Sequence, residues 1–67
     1  MNDTSRILRR GEVLALTGLS KSLMYEMRAR GDFPSPIRLS KRAVGWYQTE
    51  IIEWMASRPT ATKENLQ

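Results

Sequence analysis

The sequence contains no cysteine and no histidine. Without cysteine, disulfide scaffolds, thiol nucleophiles and cysteine-containing zinc sites are excluded. Without histidine, the commonest general base and the commonest metal ligand are missing. The four glycines are scattered and form no phosphate-binding loop. At 67 residues the chain has room for one small core but not for a deep substrate cavity as well. We therefore expect a protein that is not an enzyme and that uses no metal or cofactor.

Long apolar runs are also missing. The longest unbroken run covers residues 13–16, which is too short to cross a bilayer or to form the core of a signal peptide. These features predict a cytoplasmic protein that does not bind membranes.

Acidic residues are few in the first two thirds of the chain. Residues 1–45 contain nine basic and four acidic side chains, whereas residues 46–67 contain two and three, and the net charge is +4. A basic surface favours a polyanionic partner, although the same charges also keep a small domain in solution.

The folded unit is predicted to cover residues 7–58, between a flexible arm at 1–6 and a flexible tail at 59–67. A first helix is predicted at residues 10–17, with Val13 and Leu16 on one face. Arg9 would be a weak N-cap, and Leu8 and Val13 have the spacing of a hydrophobic staple. Gly18 can adopt the positive φ that ends a helix.

A second helix is predicted at residues 21–30, with Ser20 as its N-cap and Gly31 as its stop. Two short helices joined by a tight turn that contains glycine are typical of the helix-turn-helix motif.

The rest of the unit predicts a hairpin and a closing helix. Residues 37–39 and 44–47 alternate apolar and polar side chains like short strands, around a tip at residues 40–43. Gly45 within a strand indicates a close backbone approach or a bulge. The closing helix is predicted at residues 50–58, with Thr49 as N-cap. The predicted fold is mostly helical α+β with a small β-hairpin, in the winged order helix-turn-helix-hairpin-helix.

Helical spacing divides the second helix into two faces. Met24 and Met27 lie on the face expected to contact the core, whereas Ser22, Tyr25 and Glu26 lie on the opposite face. An outward face of this kind can enter the major groove, where serine contacts several base edges and glutamate accepts from cytosine. A solvated face without a partner is the alternative.

Individual residues of this helix also allow a second interpretation. Tyr25 either contacts DNA or closes the edge of the core, and Glu26 either reads a base or pairs with Arg30 one turn later. Lys21 lies at the helix start, where the dipole attracts phosphate. The candidate DNA-binding residues of the helix are Lys21, Ser22, Tyr25, Glu26, Arg28 and Arg30.

The hairpin supplies three more candidates, Arg38, Lys41 and Arg42. A basic ribbon can lie on the phosphate backbone or in the minor groove. The alternative is protection of an exposed edge against pairing with another strand.

The large apolar side chains also have two interpretations. They form either a ligand-binding box or simply the core, and the core is favoured because so short a chain needs them all in its interior. These residues are Met24, Met27, Met55, Trp46 and Trp54. Phe33 is expected to plug the core beneath the loop that follows the second helix.

Together these segments resemble the AlpA-type prophage regulators. The resemblance begins with Gly-Glu-Val at residues 11–13 and Thr-Gly-Leu-Ser-Lys-Ser at 17–22, followed by Tyr25. It continues with Gly-Asp-Phe-Pro-Ser-Pro at 31–36, Arg-Ala-Val-Gly-Trp at 42–46, Glu-Ile at 50–51 and Trp54. It covers about residues 7–58.

The resemblance implies a MerR-like winged helix in a small DNA-binding protein encoded by a phage or genomic island. Members regulate transcription, often of an integrase, or act as excisionase-like factors. By position, Lys21, Ser22, Tyr25 and Glu26 would lie on the recognition helix and Arg42 at the wing. Leu23 replaces a small polar residue and Glu26 a residue that is often basic, which implies a different preferred DNA sequence.

The sequence therefore supports hypotheses from two classes. The first is sequence-specific binding of double-stranded DNA by one or more copies, either to control a promoter or to bend an attachment site as an excisionase, or recombination directionality factor. The second is an adaptor that binds an integrase or RNA polymerase through Leu23, Tyr25 and Leu66.

Overall fold

The structure is a computed structural model and describes residues 6–60. Most of the predicted arm (residues 1–5) and most of the predicted tail (residues 61–67) therefore lie outside the described residues. The elements in chain order are β1 (Ile7–Leu8), α1 (Arg10–Thr17), α2 (Lys21–Ala29), β2 (Ile37–Ser40), β3 (Ala43–Tyr47) and α3 (Gln48–Ala56). The α+β class is confirmed, with the short strand β1 as an addition.

Helix α1 has the predicted bounds and is anchored by local contacts at its start. The backbone N–H of Arg9 donates to a carboxylate oxygen of Glu12 at 2.9 Å, and the staple residues Leu8 and Val13 are both buried. Leu16 was expected to share the buried face with Val13, but it is 44% exposed. Leu14 packs against the core instead, so the expectation for Leu16 was wrong.

Helix α2 begins where its predicted cap places it. The Ser20 hydroxyl accepts from the backbone N–H of Leu23 at 3.1 Å, which satisfies one of the free N–H groups at the helix start. Gly18 and Gly31 adopt positive φ angles of 77° and 80° on either side of the helix. The helix ends at Ala29, one residue before the predicted end.

The three strands form one antiparallel sheet in the order β1-β3-β2. In the outer pair Leu8 lies opposite Trp46, and in the hairpin Ile37 lies opposite Gly45. The close approach predicted at Gly45 is confirmed, because a Cβ atom there would lie 2.6 Å from Cγ2 of Ile7. The hairpin turn is shorter than predicted and consists of residues 41–42.

Helix α3 starts and ends two residues earlier than predicted, and the assignment of Thr49 as N-cap was wrong. Strand β3 passes directly into the helix, so Tyr47 occupies the cap position. The first helical N–H, that of Gln48, donates to the carbonyl of Arg6 at 2.8 Å. The backbone carbonyl of Arg6 thus accepts the hydrogen bond that a side-chain cap was expected to accept. Arg58 lies beyond the helix, with its guanidinium 4.6 Å from the centre of the Trp54 ring.

The core lies between the helices and the sheet. Its buried residues are Leu8, Val13, Met24, Phe33, Trp46 and Ile51. Met27, Trp54 and Met55 pack against this cluster, so the interpretation of the large apolar side chains as core is confirmed. Among the described helices, none is long and apolar enough to span a bilayer.

Two indole rings hold the segment that connects α2 to β2. The ring N–H of Trp46 donates to the carbonyl of Pro34 at 3.0 Å, and that of Trp54 donates to the carbonyl of Asp32 at 2.7 Å. Phe33 lies between these carbonyls in sequence and packs edge-on against Trp54, with ring centres 4.7 Å apart. These contacts fix the position of the hairpin relative to α2.

Candidate nucleic-acid interface

The two faces of α2 are oriented as the spacing predicts. Met24 is fully buried, whereas Ser22, Tyr25 and Glu26 are exposed. Lys21 is exposed in the first turn. Helix α2 therefore presents a polar face to the solvent along its length.

Tyr25 lies at the centre of this face and is linked to α1. Its hydroxyl accepts a hydrogen bond from Nη1 of Arg10 at 2.9 Å, and the residue is 39% exposed. The hydrogen bond from Arg10 lowers the pKa of the Tyr25 phenol below its usual value; partial burial opposes this, and the charges of Arg10, Lys21 and Arg28 add to it. Tyr25 is not among the side chains that pack against the core.

Within residues 6–60, carboxylates lie beside Arg30 but not beside the other cations of α2. Its Nη1 atom is 3.9 Å from Oε2 of Glu26, and its Nε atom is 3.3 Å from Oδ2 of Asp32. Glu26 and Arg30 thus lie within ion-pair distance, and contact of Glu26 with a base stays a prediction. Arg30 is therefore a weaker candidate for a phosphate contact than Lys21 or Arg28, whose side chains have no carboxylate partner within residues 6–60.

The basic residues of the hairpin have two different environments. Nη1 of Arg38 donates to the carbonyls of Ser40 and Lys41 at 3.5 and 3.2 Å, so this side chain braces the turn. Lys41 and Arg42 are exposed at the tip. In the described part of the chain, neither side chain has an ion-pair or hydrogen-bond partner.

A basic cavity that the sequence analysis missed lies between α1 and the hairpin. It has a volume of about 290 Å³ and is lined by Arg9, Arg10, Gly11, Arg42 and Val44. We call it the arginine notch. Nε of Arg9 donates to the carbonyl of Val44 at 3.1 Å, which holds the start of α1 against β3.

The adjacent pair Arg9-Arg10 is the sequence feature that could have indicated this basic cavity. The predicted fold uses Arg9 only as a helix cap and gives Arg10 no role in a site. Placing the pair beside Arg42 depends on the pairing of β1 with β3, and a strand of two residues leaves no periodic pattern in a sequence.

The candidate site residues therefore lie on three connected elements. Arg10 contacts Tyr25 on α2 and also lines the notch with Arg42 of the hairpin tip. Among the described residues, no group of three or more histidine, cysteine or acidic side chains could hold a metal. The surface is suited to contact an extended anion.

Of the three residues suggested for a protein partner, the structure describes two. Leu23 and Tyr25 are 40% and 39% exposed on α2. Leu66 lies outside the described residues.

Comparison with known proteins places this arrangement in a family. The sequence model of the family described as "Prophage CP4-57 regulatory protein (AlpA)" matches residues 6–59. The chain is 41% identical over 58 residues to the ORF88 protein of Enterobacteria phage P4, in a match that covers 87% of this chain. That match spans 66% of the phage protein's length, slightly less than two thirds.

A second relative is the protein of Escherichia coli (strain K12) described as "DNA-binding transcriptional activator AlpA". The chain is 35% identical to it over 66 residues, in a match that covers 87% of this chain and 94% of the relative. The family match includes every element of the structure, from β1 to α3. The chain belongs to the AlpA family of prophage regulatory proteins.

Proposed function

We propose that this protein is a transcriptional regulator of a prophage or genomic island that acts in the cytoplasm by binding a specific sequence of double-stranded DNA. Helix α2 would lie in the major groove, and the hairpin of β2 and β3 would contact the flanking backbone or the minor groove. The description of the Escherichia coli relative as a DNA-binding transcriptional activator supports this proposal.

The observation that carries the proposal is the distribution of unpaired cations. Four basic side chains on α2 and the hairpin tip lack a carboxylate partner within the described residues, namely Lys21, Arg28, Lys41 and Arg42. Phosphate contacts position a protein on DNA, whereas contacts to base edges provide specificity. The cations supply the first kind of contact, and the outward face of α2, with Ser22 and Tyr25, supplies the second.

The number of these contacts sets the expected dependence on salt. If about four to six phosphates are neutralised, log K should fall with log salt at a slope of roughly −4 to −5. A module of this size buries about 600–1,000 Å² on DNA. So small an interface favours the binding of several copies to adjacent sites, with an integrase or RNA polymerase as a further partner.

The first experiment is selection from a pool of random duplexes at low and high salt. Recovery of a defined motif with salt-sensitive affinity is the expected result. A motif at a promoter would support regulation, whereas a motif at the attachment site of the element would favour the excisionase alternative. Failure to enrich any duplex, together with capture of an integrase or polymerase in a DNA-independent manner, would support the adaptor alternative.

Arg42→Ala tests the contribution of the hairpin tip. Since Arg42 would contact phosphate, affinity should fall on specific and random duplexes alike, and the salt slope should flatten by about one. Arg58→Ala is the matched control, because it removes the same charge from a side chain that stacks on Trp54 and is outside the proposed surface. Fluorescence-anisotropy titrations in a series of salt concentrations measure both quantities. Equal behaviour of the two variants would remove Arg42 from the contact set.

Ser22→Ala tests base recognition by α2. Because Ser22 is exposed on the outward face, its loss should weaken binding to the selected motif more than binding to random duplex. Circular dichroism should show an unchanged fold. An equal loss on both duplexes would mean that Ser22 does not read a base.

A further inference from the structure

The arginine notch shares Arg42 with the hairpin tip, whereas its other two arginines, Arg9 and Arg10, have no role in the surface formed by α2 and the tip. Arginine residues from two distant parts of the chain line it, with Arg9 and Arg10 at the start of α1 and Arg42 at the hairpin turn. None of its five lining residues is acidic. Three arginine residues that line one small cavity favour an anion with several oxygen atoms.

The nearest carboxylate in sequence, that of Glu12, already accepts two hydrogen bonds. Glu12 accepts from the backbone N–H of Arg9 at 2.9 Å and from Nη2 of Arg6 at 3.0 Å. Arg9 and Arg10 use one N–H each for the carbonyl of Val44 and the hydroxyl of Tyr25. Arginine has five donors, so both side chains retain N–H groups for a ligand.

Gly11, one of the lining residues, has open space beside it. A Cβ atom at Gly11 would meet no atom within 4 Å, so the backbone at the start of α1 is accessible to a ligand. Backbone N–H groups in the first turn of a helix are available to an anion, and the helix dipole adds to the attraction. The notch thus combines side-chain and backbone donors around one accessible space.

We propose that the arginine notch binds one phosphodiester of the DNA backbone, between the phosphates contacted by α2 and those contacted by the hairpin tip. This inference rests on the proposed DNA-binding function and adds Arg9 and Arg10 to it. The position follows from the contacts on either side, because Arg10 touches Tyr25 of α2 and Arg42 belongs to the hairpin turn. With the notch included, the phosphate contacts of α2 and of the hairpin tip form one continuous surface.

Gly11→Glu is the variant that tests the notch. The open space at Gly11 accepts a side chain, and a carboxylate in the first turn is favourable to the helix, so the fold should be retained. The carboxylate would occupy the place of the phosphate and offset one of the three arginine charges. Gly11→Ala is the matched control, since it adds one methyl group and leaves the cavity and its charge intact.

The loss expected for Gly11→Glu follows from counterion release. Affinity scales with salt concentration to the power of about −0.9 for each phosphate contact. Loss of one contact should therefore lower the affinity about eightfold at roughly 0.1 M salt, and flatten the slope by about one. The loss should be similar for specific and random duplexes, whereas Gly11→Ala should bind like the wild-type protein.

Single methylphosphonate substitutions then identify the phosphate. Each substitution removes the charge of one backbone position, and the wild-type protein should lose affinity at several of them. At the position that lies in the notch, Gly11→Glu should show no further loss, while Gly11→Ala should respond like the wild-type protein. Such a thermodynamic cycle separates a direct contact from a general change in charge.

Three outcomes would overturn a specific part of the reasoning. If the wild-type protein enriches no duplex, the proposed function is wrong. If it binds its motif and Gly11→Glu matches it at every methylphosphonate position, the notch does not contact the backbone. If inorganic phosphate alone shifts the amide resonances of Arg10 and Gly11 while Gly11→Glu leaves DNA affinity unchanged, the notch serves a free phosphate and its assignment to DNA is wrong.

Discussion

Two glycines of this chain should respond in opposite directions to the same added methyl group. In Gly45→Ala, the new Cβ atom would lie 2.6 Å from Cγ2 of Ile7, 3.0 Å from the carbonyl oxygen of Leu8 and 3.1 Å from Cδ1 of Leu39. Unstrained carbon atoms pack at about 3.5–4.0 Å, so the Ile7 and Leu39 side chains must shift and the Leu8 carbonyl must give way by a few tenths of an ångström. In Gly11→Ala, nothing lies within 4 Å.

The expected magnitudes follow from these distances. Forcing an extra carbon atom into a packed site costs about 1–3 kcal/mol. Replacing glycine by alanine without strain stabilises a protein by about 0.4–1 kcal/mol, because it reduces the conformational entropy of the unfolded chain. Gly45→Ala should therefore reduce the free energy of unfolding by about 1–2 kcal/mol, whereas Gly11→Ala should leave it unchanged or raise it. A domain of this length has about 3–10 kcal/mol in total, so the loss is a large fraction.

Urea and thermal unfolding followed by circular dichroism measure both changes. In a domain of this size, 1 kcal/mol corresponds to about 4–8 °C in Tm, so the two variants should be clearly separated. A second substitution identifies the atom responsible, because Gly45→Ala should cost less in an Ile7→Ala background. Equal stability of Gly45→Ala and the wild-type protein would refute the close approach of β1 to β3.

The remaining predictions concern an indole and a phenol. Trp54→Phe removes the ring N–H that donates to the carbonyl of Asp32 at 2.7 Å, and it should cost about 1 kcal/mol in urea unfolding; an unchanged midpoint would contradict this. Arg10 holds the pKa of Tyr25 below its usual value, so tyrosinate absorbance in a Tyr47→Phe background should appear at lower pH than after a further Arg10→Gln substitution. Because the folded-state pKa is depressed, this pair adds stability only at alkaline pH and loses it as the pH falls through that value. Coincident titrations would show that the hydrogen bond does not form in solution.

The elements that the sequence predicted well are those with local determinants. Ser20 caps α2 through the backbone of its own first turn, and Gly18 and Gly31 adopt the positive φ angles that end a helix. Each of these contacts joins residues a few positions apart, and residue type alone indicates them. Both helix starts of the helix-turn-helix were therefore predicted to the residue.

The elements that were missed depend on contacts between distant residues. Strand β1 has two residues and exists because Ile7 and Leu8 pair with Tyr47 and Trp46. The same pairing brings the carbonyl of Arg6 to the start of α3, which is why that helix begins without a side-chain cap. Residue type favoured Thr49 as the cap, but a backbone carbonyl from the other end of the domain replaces it.

The candidate site also has one part that depends on local determinants and one part that depends on contacts between distant residues. The outward face of α2 was predicted because one helix determines its own faces, and Ser22, Tyr25 and Glu26 are exposed as expected. The arginine notch was not predicted, because it needs β1 to bring α1 beside β3. Local patterns thus identified the residues of each element, whereas the sheet determines which elements form a common surface.

The residues that position the hairpin relative to α2 are different from the residues on the exposed face of α2. The position of the hairpin relative to α2 is held by the indole N–H groups of Trp46 and Trp54, whose acceptors are backbone carbonyls of the connecting segment. Substitutions of exposed residues of α2, such as Leu23 and Glu26, leave these bonds in place. Under the proposed function, the preferred DNA sequence would therefore change without a change in docking geometry. Conversely, a variant such as Trp54→Phe should lose stability without changing which base pairs are preferred, since it alters no group on the proposed reading face.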